Sequence, residues 1–331
     1  MAKRCEDDLN TYWKKHAKIR VEIMNMTKKL IVRYHVPVLA TEVGDLLAIR
    51  SGNWYVDATA GGGGHCQVIL ERGGCVIALD QDSDAIDELK TRFNEQIGLG
   101  RVLVRQTNFR NVDQVVKELN KTENIAGVLF DLGTSTHQLK LSGRGFSFWQ
   151  DEPLDMRMSQ DAKITARDVV NTYSREALYE IIATYGEDRL ARGLVDAIVR
   201  TRAVMPIETT RVLGEIADEV YKKKGVRERI HPATRLFQAL RIEVNQELEV
   251  LKVGLEKSWG VLGSKGRLVV ISFHSLEDRI VKQTFNTWSI REEGELVTKK
   301  PVRPTNDEIQ VNSAARSAKL RVIEKNVKHN K

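Results

Sequence analysis

The chain has 331 residues, enough for one large domain or two ordinary ones around a sizeable core. Its 41% hydrophobic and 29% charged residues exclude a disordered chain, and no apolar run approaches the roughly 20 residues that span a bilayer. Charge is uneven: residues 1–34 carry a net +5, residues 299–331 a net +6 and the middle about −4, for a total of +7. Basic ends on a near-neutral body fit either a polyanion partner or plain solubility. Cys5, Cys66 and Cys75 are too few and too scattered for a disulfide framework or a zinc site, so no metal is expected. The N-terminus lacks the apolar stretch of a secretory signal, and Glu6, Asp7 and Asp8 argue against a transit peptide. A cytoplasmic setting is the expectation.

Residues 1–34 read as a basic N-terminal extension. From His35 onward, segments rich in β-branched residues alternate with helical patterns, which argues a parallel sheet with crossover helices. Strands are expected near Trp54–Ala58, Cys75–Asp80, Arg101–Arg105 and Gly127–Leu132. Helices are expected between them at about His65–Arg72, Ser83–Gln96 and Val112–Leu119, the first half of a doubly wound fold. Residues 134–160 are rich in Gly, Ser and Asp and read as a loop. From Ala166 to about Lys224 only helical patterns occur, among them Glu176–Tyr185 and Asp188–Arg202. Leu190, Leu194, Ala197 and Ile198 there give an amphipathic face. One long helix around Thr234–Ser258, a strand at Arg267–Phe273 and a helix at Leu276–Trp288 follow. Residues 289–318, with Pro301 and Pro304, read as a mobile loop before a last strand at Leu320–Glu324. The economical division is a discontinuous Rossmann-like α/β domain, 35–135 and 232–331, interrupted by an all-helical domain over 136–231.

The richest local signal is Asp57-Ala58-Thr59-Ala60-Gly61-Gly62-Gly63-Gly64-His65, a strand running into four glycines and then a helix. Such a loop lets a ligand approach the main chain at a helix N-terminus. An acid as close as Asp57 would repel a pyrophosphate, whereas it suits the cationic, phosphate-free S-adenosylmethionine. The loop also fails G-x-G-x-x-G/A, which disfavours a nicotinamide-dependent oxidoreductase. Asp80 ends the next strand, 23 residues after Asp57. It is read either as an acceptor for ribose hydroxyls or as the N-cap of the helix near Ser83; the glycine loop at this spacing favours the ribose. The third and fourth strand ends supply Phe109, to pack an adenine or the core, and Asp131, to meet a ligand amine, the reacting base or a turn.

From Asp131 the pattern becomes specific. Asp131-Leu132-Gly133-Thr134-Ser135-Thr136-His137-Gln138-Leu139, Arg144-Gly145-Phe146-Ser147-Phe148 and Pro153-Leu154-Asp155-Met156-Arg157-Met158 resemble the ribosomal RNA small subunit methyltransferase H family. So do His231-Pro232-Ala233-Thr234-Arg235, Phe237 to Ile242 with Val244-Asn245, Ser272 to Arg279, and Ala315 to Arg321, in the right order over about His35 to Glu324. The resemblance implies S-adenosylmethionine-dependent methylation of the exocyclic N4 of a cytidine in the decoding region of small-subunit (16S) ribosomal RNA. The expected partner is that RNA within an assembled or assembling small subunit, with no membrane, and a monomer or weak homodimer. Matched position by position, it implies cofactor contacts at Gly63, Gly64, His65, Asp80, Phe109, Asp131 and Gln138; Gln138 rests on the resemblance alone. Thr134, Thr136 and His137 depart from the family's usual Val, Ser and Pro, and Ala60 from its usual Phe. Residues 1–33 have no counterpart.

A cytosine amine is a poor nucleophile because its lone pair is delocalised into the ring, so an acceptor on its N–H bonds is needed. The Asp/Asn-Pro-Pro-aromatic motif of unrelated amino-methyltransferases is absent here. Asp131 and Asp155 are the candidate acceptors, with His231 and His274 as further candidates. Asp155 has the alternative of pairing with Arg157 or Arg144, and His274 that of entering a helix, since Ser275 to Asp278 resembles a capping box. Phe146, Phe148 and Trp149 are read as a base-stacking surface or as a hinge between domains. Arg144, Arg157, Arg235, Arg279, Arg316, Lys319 and Arg321 are candidate RNA contacts. An assembly factor that keeps the fold without the chemistry would tolerate damage to the glycine loop; intact Gly63, Gly64 and Asp80 speak against it.

Overall fold

The computed structural model describes residues 37–121, 125–226 and 230–327; the basic N-terminal extension lies outside them. After a short helix α1 (Ala40–Leu46), strands and helices alternate: β1 (Trp54–Asp57), α2 (Gly64–Glu71), β2 (Cys75–Asp80), α3 (Ser83–Arg92), α4 (Asn94–Gly98), β3 (Val102–Gln106), α5 (Val112–Glu118) and β4 (Ile125–Asp131). A short helix α6 (Thr136–Lys140) precedes the helical region α7 (Ala166–Thr172), α8 (Arg175–Thr184), α9 (Ala191–Val204) and α10 (Thr210–Lys223). Then come α11 (Ala233–Asn245), α12 (Glu247–Val261), β5 (Leu262–Ser272), α13 (Ser275–Ile290), β6 (Gly294–Leu296), α14 (Asn306–Val311) and β7 (Lys319–Lys325).

The seven strands form one sheet in the order β3-β2-β1-β4-β5-β7-β6. β1 to β5 pair in parallel, and β7 runs antiparallel to both neighbours. Alternation along each strand fills both faces. Tyr55, Val76, Ala78, Leu129, Val269 and Ile271 pack with α1 to α3, while Val56, Ile77, Leu79, Val128, Phe130, Leu268 and Val270 pack with α5, α12 and α13. Helices on both faces explain why these strands are apolar nearly throughout. This is the expected Rossmann-like methyltransferase fold with a helical insert. The order reverses between β1 and β4, and the crevice at their carboxyl ends is where such sheets bind ligands.

The insert has its own core, including Leu154, Val169, Leu178, Leu194, Ile198, Leu213 and Ala217. Ala233, Leu236, Phe237, Leu240 and Val244 of α11 belong to that same cluster.

Four segments differ from expectation, the first being the expected loop over 134–160, which carries α6. The helix expected over Thr234–Ser258 is two, broken at Gln246 in the left-handed region (φ 51°). Side chains hold the break: Asn245 Nδ2 donates to Arg241 O and Met156 O, and Glu247 takes both Arg241 Nε (2.7 Å) and a terminal nitrogen (2.9 Å). The helix expected over Ser83–Gln96 is interrupted at Phe93, whose buried ring packs against Gly63. The expected loop over 289–318 carries β6 and α14, and Glu308 accepts from the Leu39 N–H at 2.7 Å. Among the described residues no helix is long and apolar enough to cross a membrane.

Candidate active site

The chain leaves β1 and turns through the glycines into α2, with Gly61 (φ 49°) and Gly63 (φ 78°) left-handed. A Cβ on Gly63 would stand 2.4 Å from the Phe93 ring, so both the backbone angle and the close approach demand glycine there. Asp57, expected beside the ligand, lies beneath the loop at 1% exposure. It accepts from the Thr59 N–H (3.3 Å) and the Cys66 thiol (3.2 Å). Burial holds the Asp57 carboxyl above its usual range and the Cys66 thiol well above its own.

Asp80, at the end of β2, accepts from the Gly61 N–H (2.8 Å) and the Asp82 N–H (2.9 Å), and so fixes the glycine loop to the second strand. Burial pushes its carboxyl up to about 6. The N-cap of α3 is Asp82, whose Oδ1 accepts from Asp84 N–H at 3.2 Å. Asp82 also anchors the insert's leading loop, because its Oδ2 accepts from Gln138 Nε2 (2.9 Å) and from Arg144. Gln138 closes a capping box on Ser135 at the start of α6, so both ends of its amide are engaged in shaping the loop.

At the third strand end, Phe109 is edge-on to Phe130, with centroids 5.1 Å apart at 83°. Its ring is at once core and wall of the crevice. At the fourth, the Asp131 N–H donates to Thr59 Oγ1 at 2.6 Å, tying β4 to the first loop. Asp131 Oδ2 lies 3.3 Å from His65 Nε2, in ion-pair range but off the hydrogen-bond axis. Asp131 Oδ1 is buried and has no hydrogen-bond partner among the described residues. Burial lowers the His65 imidazole pKa, but the Asp131 and Asp57 carboxylates outweigh it and the net direction is upward.

Thr59, Gly61, Gly64, His65, Asp80, Phe109, Asp131 and Gln138 line one cavity. Gly63 does not; it faces Phe93 and Leu89. The far wall is made of Met158, Asn245, Glu247 and Glu277, to which the sequence reading gave no role. Asn245 and Glu277 stood inside blocks that resemble the family, yet nothing in their local context marks them as lining residues. Glu247, His274 and Glu277 bring three potential ligand atoms within 4.8 Å of one another. Glu247 is committed to Arg241, however, and Glu277 accepts from the Phe273 and His274 N–H groups.

Other candidates fall outside the cavity. Asp155 is held bidentately by Arg157 (2.8 Å at each oxygen), and that guanidinium holds its carboxyl below the usual range despite burial. His231 stacks on Phe148 (4.5 Å, 21°), with Asp218 3.6 Å away. His274 caps α13: Nδ1 accepts from the Glu277 N–H at 3.4 Å, so the capping box begins one residue before Ser275. Phe146 is buried in the insert core, whereas Trp149 is 77% exposed beside Phe148 and His231. Arg144 is buried on Asp82, Arg279 pairs with Glu187, and Lys319 and Arg321 both pair with Asp278. Arg235 donates to Glu187 O, and Arg316 is exposed.

The family model described as "MraW methylase family" matches residues 33–326. The chain belongs to that family. This methylase is 45% identical over 295 residues to the ribosomal RNA small subunit methyltransferase H of Coprothermobacter proteolyticus, covering 88% of this chain and 96% of that protein. It is 46% identical over 290 residues to the protein of the same name from a Sulfurihydrogenibium species (87% and 98%), and 44% identical over 293 residues to that of Persephonella marina (88% and 99%).

Proposed function

We propose that this methylase uses S-adenosylmethionine to methylate the exocyclic N4 of a cytidine in the decoding region of small-subunit ribosomal RNA. The partner would be an assembled or assembling subunit in the cytoplasm, and the protein would act as a monomer or weak homodimer. One observation carries the chemistry: Asp131 lines the switch-point cavity, and its buried carboxylate oxygen Oδ1 has no partner among the described residues. Shared family and the names of relatives covered nearly end to end support the substrate. Bound S-adenosylmethionine supplies an electrophilic methyl carbon, open to in-line displacement.

The residues present fit that group. Asp80 keeps a lone pair on each oxygen beyond its two backbone bonds, which suits two ribose hydroxyls. Phe109 offers an apolar wall for a base, and the Gly61 to Gly64 turn brings main chain to the cavity with no side chain in the way. Asp131 Oδ1 accepts an N–H of the target amine, which localises its lone pair toward the methyl carbon, and then receives the proton that the amine must lose. His65, 3.3 Å from the other oxygen, keeps the carboxylate turned into the cavity. Gln138 and Arg144, meeting on Asp82, hold the loop that follows Asp131 against the sheet. The target base reaches this cavity unstacked. Trp149 supplies an exposed ring beside the insert on which a neighbouring base stacks.

We also place the division between sheet and helical units at Gln246 instead of 231/232, because α11 packs into the helical core. The test of function is tritiated methyl transfer onto small subunits from a strain lacking the enzyme, followed by mapping of the modified base. Label on a cytidine N4 of the decoding region is expected; label elsewhere, or none, sinks the reading.

A further inference from the structure

We propose that a basic groove between α8, α9 and the end of α10 grips the phosphate backbone of the substrate RNA, a surface separate from the cavity; the proposal rests on the RNA methylase reading above. The groove is lined by Arg189, Arg192, Arg200, Lys223 and Lys224, with Tyr179 in its wall, and shares no residue with the cofactor cavity. All five cations are exposed. The two acids that line it already have partners. Asp188 is 5% exposed and accepts from the Tyr221 hydroxyl at both oxygens (2.9 and 2.8 Å). Asp196 is neutralised by Arg175 at 2.6 Å. Lys223 has an exposed partner, Glu219, at 3.2 Å, a solvated pair that a phosphate displaces at little cost. Arg192 lies over the Tyr179 ring at 5.7 Å, which holds the guanidinium in place and leaves part of the ring open to a base. Excess positive charge around an open groove is the footprint of a phosphate backbone.

Position favours RNA over another polyanion. The residue before the groove, Glu187, accepts from Arg279 (2.9 Å) and from Ser275, both on α13. α13 also carries Glu277 into the cavity wall. The groove therefore adjoins the contact that clips the insert to the sheet domain, through a helix that also reaches the cavity.

The test uses the full chain carrying Arg200→Ala, Lys223→Ala and Lys224→Ala together, assayed on small subunits and by anisotropy with a labelled RNA across a salt series. KM for subunits is expected to rise on the order of ten-fold, with kcat at saturation and donor affinity unchanged. The slope of log affinity against log salt is expected to flatten by about 2 to 3. Restoring charge with Arg200→Lys in place of Arg200→Ala recovers about one unit of slope. An unchanged KM and slope in a variant that melts like the wild type overturn the proposal, as does loss of binding to anionic phospholipid vesicles with RNA binding intact. If the triple variant melts early, Lys223→Gln alone, on an exposed helix end, must flatten the slope by about 1. Absence of turnover by the wild type would defeat the functional reading instead, and the salt slope would still judge the groove.

Discussion

The two walls of the cavity are held in different ways. On the sheet side, the parts that meet lie at strand ends, where short side-chain-to-backbone bonds (Asp80 to Asp82, Asp57 to Thr59, Gln138 to Ser135) act beside longer ties from Asp80 to Gly61 and from Thr59 to Asp131. On the far side the wall exists because distant segments meet. Asn245 Oδ1 accepts from the Met158 N–H, 87 residues away, and Gln81 Nε2 reaches Met158 Sδ, 77 residues away. The sheet-side wall therefore draws mainly on strand ends and their turns, and the far wall on the packed insert. Damage to the first should strike chemistry or donor binding, and damage to the second should strike substrate affinity and folding.

The largest effect expected is at Asp131. Asp131→Ala should lower the single-turnover rate by about 10²- to 10⁴-fold at saturating donor and subunits. Asp155→Ala should leave that rate unchanged while costing about 1–3 kcal/mol in denaturant unfolding, because its charged hydrogen bonds to Arg157 are structural. A large rate loss from Asp155→Ala would break the comparison. Next is Trp288, 2% exposed and stacked on Trp259 at 4.4 Å and 7°. Trp288→Ala should cost about 3–5 kcal/mol by chemical denaturation. The smallest is Trp149→Ala, expected within about 0.5 kcal/mol in stability, since the ring is 77% exposed, with a several-fold higher KM for subunits. An unchanged KM would remove Trp149 from the RNA-facing surface.

Most of the sheet was legible because each strand and its turn carry their signal within about ten residues; β2 runs over Cys75–Asp80 as expected. The breaks at Phe93 and Gln246 were not, because periodicity continues through both and tertiary contacts decide them: the Phe93 ring against Gly63, and Asn245 against Met156 and Met158. The segment over 289–318 was misread for a related reason. Its prolines and polar residues look like a loop, but β6 is recruited by pairing with β7. Strand-end reasoning expected Asp80, Phe109 and Asp131 in one crevice, and all three line the same cavity. It read Asp57 as an acid near the loop that favours a cationic ligand, and that carboxylate points inward at the Cys66 thiol. Asp155 takes the alternative that the sequence also offered, pairing with Arg157, whereas His231 carried a chemically suggestive side chain whose partner, Phe148, was invisible to spacing alone.

Asp80, the proposed ribose acceptor, gives the most direct test. With its carboxyl pushed up to about 6, Asp80 contributes folding stability that is fully present below about pH 4 and lost as pH rises through about 6, while the ionised form is the one that accepts ribose hydroxyls. Calorimetric titration with S-adenosylmethionine should therefore show one saturable site at neutral pH, weakening as pH falls through about 6, with no binding of NAD and a large loss of affinity in Asp80→Ala. Equal affinity for the methyl donor in wild type and Asp80→Ala at every pH, or no binding at all, would contradict the account.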